Sequence, residues 1–172
     1  GTSMKGFRMC PECRREYQDV EDRRFHAQPI GCPSCGPSVK VLFSDGSELG
    51  FGHGFDTPAA QAAWVLADGL IVALLGVGGF QLLADASSEA AVRRLRRLKE
   101  RDAKPFAVMV PDVAAAERLC RLSEEERRLL ASPAAPIVLA RGRKDVDLAP
   151  SVCMFSRFVG IMLPSSPLHA LL

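Results

Sequence analysis

From Thr57 onward the apolar positions fall into short regular groups with polar breaks between them; before it they do not. Thr57 and Pro58 fit the cap and first turn of a helix and Gly69 fits its end, with Ala62, Val65 and Leu66 on one face. The run Leu70-Ile71-Val72-Ala73-Leu74-Leu75 is short, continuous and partly β-branched, which predicts a buried strand. Gly76-Val77-Gly78-Gly79 breaks it. A second helix is predicted over about residues 88–101, where Val92, Leu95 and Leu98 or Lys99 recur at helical spacing and arginines fill the other sides. Phe106-Ala107-Val108-Met109-Val110 predicts a strand. Asp112 is placed to cap a helix running to about Arg121, and Ser123-Glu124-Glu125-Glu126 is a capping box opening another. Pro136-Ile137-Val138-Leu139-Ala140 and Val159-Gly160-Ile161-Met162-Leu163 predict further strands. Strands alternating with helices imply an α/β or α+β core.

The first forty residues read differently. They are rich in Cys, Pro and Arg and lack a regular period, with too few apolar side chains for a core of their own. The chain therefore divides into a small module over residues 4–43, a glycine-rich connector over 44–56 and a domain over 57–172. With 172 residues, 48% of them hydrophobic and 24% charged, wholesale disorder is excluded. A net charge of +2 does not by itself indicate a nucleic-acid binder. No apolar run reaches the length of a membrane span and no signal peptide opens the chain, so the cytoplasm is the default compartment. Gly1-Thr2-Ser3 ahead of Met4 reads as a cloning remnant.

The six cysteines decide the chemistry of the first module. Four form two C-x-x-C pairs, Cys10-Pro11-Glu12-Cys13 and Cys32-Pro33-Ser34-Cys35, separated by eighteen residues. That spacing is the one that places four thiolates tetrahedrally around a zinc ion. Four protein ligands leave no position for water, so the expected Zn2+ is structural. The competing readings are a redox-active pair or two disulfides. His26, between the pairs, is expected to pack rather than ligate. Arg23-Arg24 reads as a solvated basic face or a phosphate contact.

Charge is concentrated once more in the second half. Arg93, Arg94, Arg96, Arg97, Lys99, Arg101 and Lys104 fall within twelve residues, against only Glu100 and Asp102. A helix spreads most of these around its surface. Lys99, Arg101 and Lys104 differ, because they lie at the helix end just before a strand, where three cations could hold a polyphosphate. Gly78 and Gly79 follow a strand and permit close backbone approach to a ligand, although the loop is not a P-loop and by itself reads first as a plain tight turn. Asp85 could orient a ligand or cap structure.

Taken together these strings resemble the middle of the hydrogenase-maturation carbamoyltransferases, the HypF family. The resemblance rests on Cys10-Pro-Glu-Cys13, Glu16-Tyr17, Arg23-Arg24-Phe25-His26-Ala27-Gln28-Pro29 and Cys32-Pro-Ser-Cys35-Gly36-Pro37. It continues through Gly76-Val-Gly-Gly-Phe80, Asp85-Ala86, Lys104-Pro105-Phe106-Ala107-Val108-Met109, Pro136-Ile137-Val138-Leu139, Gly160-Ile-Met-Leu-Pro164 and Pro167-Leu168-His169. It implies a zinc ribbon-like module followed by a YrdC-like twisted-sheet domain, incomplete at its C-terminus. It also implies carbamoyl-adenylate formation from carbamoyl phosphate and ATP with Mg2+, for transfer to a HypE-like acceptor. Lys99-Glu100-Arg101 matches that domain's K-x-R motif, so Lys99, Arg101 and Lys104 would hold the triphosphate. Leu75 stands where the family usually has lysine and Gln81 where it usually has histidine. The chain also ends before the family's Thr-Ser-Gly-Asn motif. The resemblance therefore implies a fragment that works with the remaining domains of a HypF-like chain and does not complete the reaction alone. Two alternatives remain open: an RNA-binding YrdC-like module and a zinc-stabilised scaffold without activity.

Overall fold

The computed structural model describes residues 6, 8–50, 55, 57–76 and 78–172. Val77 of the glycine break, most of the connector beyond Gly50, and Met4 lie outside the described residues. The chain forms two compact units, Gly1–Gly50 and Phe51–Leu172.

In the first unit Cys10 caps helix α1 (Pro11–Gln18), its sulfur accepting from the Cys13 amide. The sequence offered no helical period here; the cap and the proline behind it create the helix. Successive turns carry the chain to His26, whose N–H returns to the Tyr17 carbonyl. An isolated bridge between Leu42 and Glu48, closed around Gly46, takes in the first residues of the expected connector.

In the second unit Thr57 caps helix α2 (Pro58–Ala67), and Gly69 ends it at positive φ. Strand β1 (Val72–Gly76) pairs antiparallel with β2 (Gly79–Leu83) in a two-stranded sheet. The expectation of a buried strand is corrected here: β1 alternates between half-buried and exposed residues, and Leu75 is 60% exposed. An apolar run of this length does not distinguish an edge hairpin from a central strand, and β2 carried no strand signal of its own. Ser88 caps α3 (Glu89–Leu98). Its inner face is Val92, Leu95 and Arg96, while Leu98 is 64% exposed, so the last apolar position of the expected stripe is an arginine instead.

Next come β3 (Ala107–Met109), α4 (Val113–Leu119), β4 (Cys120–Arg121) and α5 (Glu124–Leu130). The helix capped by Asp112 ends two residues before Arg121, because Cys120 and Arg121 join the sheet. Ser123 and Glu126 form the expected capping box on α5. Strand β5 (Val138–Gly142), helix α6 (Pro150–Cys153), strand β6 (Phe158–Met162) and helix α7 (Pro167–Leu171) complete the unit. The sheet order is β3-β6-β5-β4, with β3 and β6 parallel and the other pairs antiparallel. This is the α/β to α+β arrangement the alternation implied.

One sheet face supplies Val108, Val138, Ala140, Val159, Ile161 and Cys120 to a core completed by Val92, Ala115, Ala116, Leu130 and Val152. The alternate positions Leu139, Arg141 and Phe158 are exposed. Among the described residues no helix is long and apolar enough to cross a membrane.

Candidate functional site

The four cysteine sulfurs of the first unit lie within 4.8 Å of one another. Cys10 Sγ is 3.7 Å from Cys32 Sγ, which is 3.7 Å from Cys35 Sγ. Thiolates about 2.3 Å from a tetrahedral zinc ion stand roughly 3.8 Å apart, so the group has the dimensions of a metal cage. A disulfide needs about 2.05 Å, and all six cysteines are free thiols. The two-disulfide reading is thereby excluded. Among the described residues His26 is not part of the cluster; its ring stacks on Tyr17 with centroids 4.7 Å apart.

The backbone prepares two of these sulfurs for charge. The amides of Ser34 and Cys35 pull the Cys32 thiol down to about 6. Those of Cys10 and Cys32 lower Cys35. Cys13, 1% exposed, is pushed up to about 12 by burial and its sulfur neighbours, so it needs a bound cation to ionise at neutral pH. The turn after Cys32 demands Gly36: its N–H bonds the Cys32 carbonyl, and a Cβ there would lie 2.8 Å from that oxygen. Arg24 donates to Glu16 and to the Gly31 carbonyl, tying α1 to the second knuckle, which gives this residue a structural role. Arg23 is exposed.

In the second unit Lys99 is the exposed C-terminal cap of α3, and Glu100 turns the chain at a φ of 46°. Arg101 lays its guanidinium over the Phe106 ring at 5.2 Å and donates to the carbonyls of Lys104 and Pro105. Beneath this loop lies a residue that sequence reasoning left within the general charge run. Arg96 is 8% exposed and donates to the carbonyls of Ser151, Val152, Arg101 and Lys104. Its position four residues after Val92 on the core face was a readable signal. From the other end of α3, Glu89 accepts from the Ser151 N–H and hydroxyl, which with Arg93 hold its carboxyl down at about 2. The helix thus grips α6 at both ends and fixes the loop over residues 99–105. Neither the Lys99 nor the Lys104 ammonium has a carboxylate partner among the described residues.

Gly78 and Gly79 belong to the turn of the β1–β2 hairpin, and Gly79 has φ +116°, which L side chains rarely adopt. No hydrogen bond or ion pair joins them to the loop over residues 99–105 among the described residues. Gln81, on β2, instead meets the buried His169 of α7: its Oε1 lies 2.6 Å from Nε2. The Ser165 amide donates to Nδ1, which leaves the ring proton on Nε2 for Gln81. Asp85 accepts from Ser87 and shapes the turn before α3.

Comparison with known proteins places both units. The HypF finger matches residues 9–42, and the Sua5/YciO/YrdC family, described as Telomere recombination, matches residues 64–172. The chain is 47% identical to carbamoyltransferase HypF of Rhodobacter capsulatus over 99% of its own length and 22% of that protein. It is 44% identical to HypF of Rhizobium leguminosarum over 95% of its length and 26% of that chain. A crystal structure of full-length HypF in the phosphate- and nucleotide-bound form superposes with a TM-score of 0.79 and 44% identity, over 99% of this chain and 21% of the other. Sua5 of P. abyssi, complexed with L-threonine, shares the fold at a TM-score of 0.56 and 21% identity over 66% of this chain and 34% of the other. The chain thus spans only about a quarter or less of the HypF proteins it matches.

Proposed function

Because the chain belongs to the HypF carbamoyltransferase family, joining a HypF finger to a Sua5/YciO/YrdC-type domain, we propose that it is the zinc-stabilised adenylating segment of a carbamoyltransferase. In this reading Cys10, Cys13, Cys32 and Cys35 hold a structural Zn2+, which cross-links the two knuckles. The second unit binds ATP with Mg2+ and forms carbamoyl-adenylate from carbamoyl phosphate. The remaining domains of the parent chain then pass the carbamoyl group to a HypE-like acceptor in the cytoplasm, toward [NiFe]-hydrogenase maturation.

The observation that carries the nucleotide reading is the clamped loop at the end of α3. Arg96 fixes its backbone, while the ammonium groups of Lys99 and Lys104 have no carboxylate partner among the described residues and lie close in sequence to the Arg101 fork. Cations held without counter-charges stabilise a polyanion without reorganisation when pyrophosphate leaves. Gly78 and Gly79 would admit the backbone close to the ligand. Binding of ATP to the zinc-loaded chain, measured by calorimetry, should weaken at least tenfold in Lys99→Ala/Lys104→Ala. Equal affinity in the variant would remove the phosphate role.

Two observations favour the scaffold alternative. Arg101 already donates to two carbonyls of its own loop, and Gln81 is engaged by His169. An absence of any ATP heat with the intact chain would select that reading.

A further inference from the structure

A second group of cations lies on other elements, at the β4–β5 edge of the four-stranded sheet. Arg121 and Arg141 are direct cross-strand partners in the antiparallel register. Both are exposed, and neither forms an ion pair among the described residues. Like charges facing each other across a strand pair destabilise it, and their side chains start only about 5 Å apart. A folded chain that keeps this arrangement carries an electrostatic cost in the absence of an anion.

The surroundings deepen the imbalance. Arg121, Arg141, Arg143 and Lys144, with Gly142, line a cavity of about 310 Å³. It shares residues 141–144 with a groove of about 630 Å³ that adds Arg157 and, as its one acidic lining residue, Asp145. Arg143 is held in place: its Nε donates to the carbonyls of Glu117 and Cys120 at 2.7 and 3.1 Å, at the C-terminal end of α4. That leaves its two Nη groups without an acceptor among the described residues. A fixed guanidinium beside a facing pair of guanidinium groups presents several forked donors to one cavity.

We propose that the cavity framed by Arg121, Arg141, Arg143 and Lys144 is a binding site for a condensed phosphate, an anion of two or more linked phosphoryl groups. Arg121 and Arg141 each take one phosphoryl group through a forked contact. Arg143 and Lys144 close the rim. A condensed phosphate offers each arginine a phosphoryl group of its own, whereas a single phosphate would have to be shared between them. The inference is independent of the nucleotide reading of Lys99, Arg101 and Lys104, which lie on the loop after α3.

The test uses the zinc-loaded 172-residue chain, with sodium pyrophosphate as probe. Nitrogen–proton correlation spectra should show the amides of residues 120–121 and 141–144 moving on titration, whatever happens at residues 99–105. By calorimetry, Arg121→Gln/Arg141→Gln should weaken this binding at least tenfold, and orthophosphate should bind the native chain at least tenfold more weakly than pyrophosphate. Without ligand the double variant should melt above the native chain, because the facing charges are gone. A purely structural arginine pair would give the opposite sign. Arg121→Lys, which keeps the charge and loses the fork, should fold and still bind less tightly. Tripolyphosphate and ATP, each followed at the amides of residues 120–121 and 141–144, separate the sources: equal affinity there identifies free condensed phosphate, and tighter ATP there identifies a nucleotide tail. Shifts confined to residues 99–105, or undiminished affinity in both variants, would overturn the proposal.

Discussion

The two units hold themselves together by different means. Among the described residues of the first unit, Cys13 is the one apolar side chain that is fully buried, while Val20, Phe25, Val39, Leu42 and Phe43 are all substantially exposed. Its fixed points are four sulfurs, an Arg24–Glu16 pair and a stack of Tyr17 on His26. The second unit buries a continuous set of aliphatic side chains from sheet and helices, with Leu130, Ile161 and Val152 almost wholly shielded. It also buries one full charge, Arg96, and satisfies it with four carbonyls. A metal cluster tolerates a poor core because coordination energy replaces burial. An aliphatic core tolerates a buried cation only where every donor finds an acceptor.

Removing the metal should separate the two strategies most sharply. Coordination of this kind contributes roughly 10–16 kcal/mol in zinc-finger peptides. Chelation, or Cys13→Ser, should therefore collapse the amide spectrum of residues 8–50 and leave that of the sheet unit folded. Persistence of the first unit's spectrum in metal-free solution would show that packing suffices there.

A smaller effect is expected from Arg96→Met, which keeps the stem and deletes the charge. It leaves the carbonyls of Ser151, Val152, Arg101 and Lys104 without this donor. Loss of such charge-assisted bonds should cost about 3 kcal/mol in urea unfolding of the second unit. If the loop over residues 99–105 depends on this clamp, nucleotide affinity should fall in the same variant. A loss below about 1 kcal/mol would mean that water replaces the guanidinium easily.

The smallest and most specific effect concerns acid. Glu89 is depressed from 4.5 to about 2, first by the Ser151 hydroxyl and amide and then by Arg93. A carboxyl lowered in the folded state contributes stability that is complete above its ordinary value and disappears as pH falls through the folded value. The melting temperature of the native chain should therefore drop between pH 4.5 and 2 more steeply than that of Glu89→Gln. Parallel curves would remove Glu89 from the α3–α6 grip.

Much of this was legible before any coordinates. Thr57, Asp112 and Ser123 cap helices where local hydrogen-bond chemistry places them, since capping depends on residues three apart in the chain. Strand positions on β3, β5 and β6 were readable to within two residues. The β1–β2 hairpin was not, because an apolar run reports burial potential and not the number of neighbouring strands. Nor was the fate of individual cations within a dense basic stretch: Arg96 turned inward, Arg101 turned onto its own backbone, and Lys99 stayed at the surface.

By itself the sequence determined the metal group, since two C-x-x-C knuckles fix both ligand type and ligand spacing locally. It also determined the capped helices and the family to which the chain belongs. The tertiary structure alone decided which charges face one another. Arg121 meets Arg141 through an antiparallel register, and Gln81 meets His169 across 88 positions of chain. Such pairings depend on where strands and helices are brought together, and no short-range pattern of side chains encodes that distance.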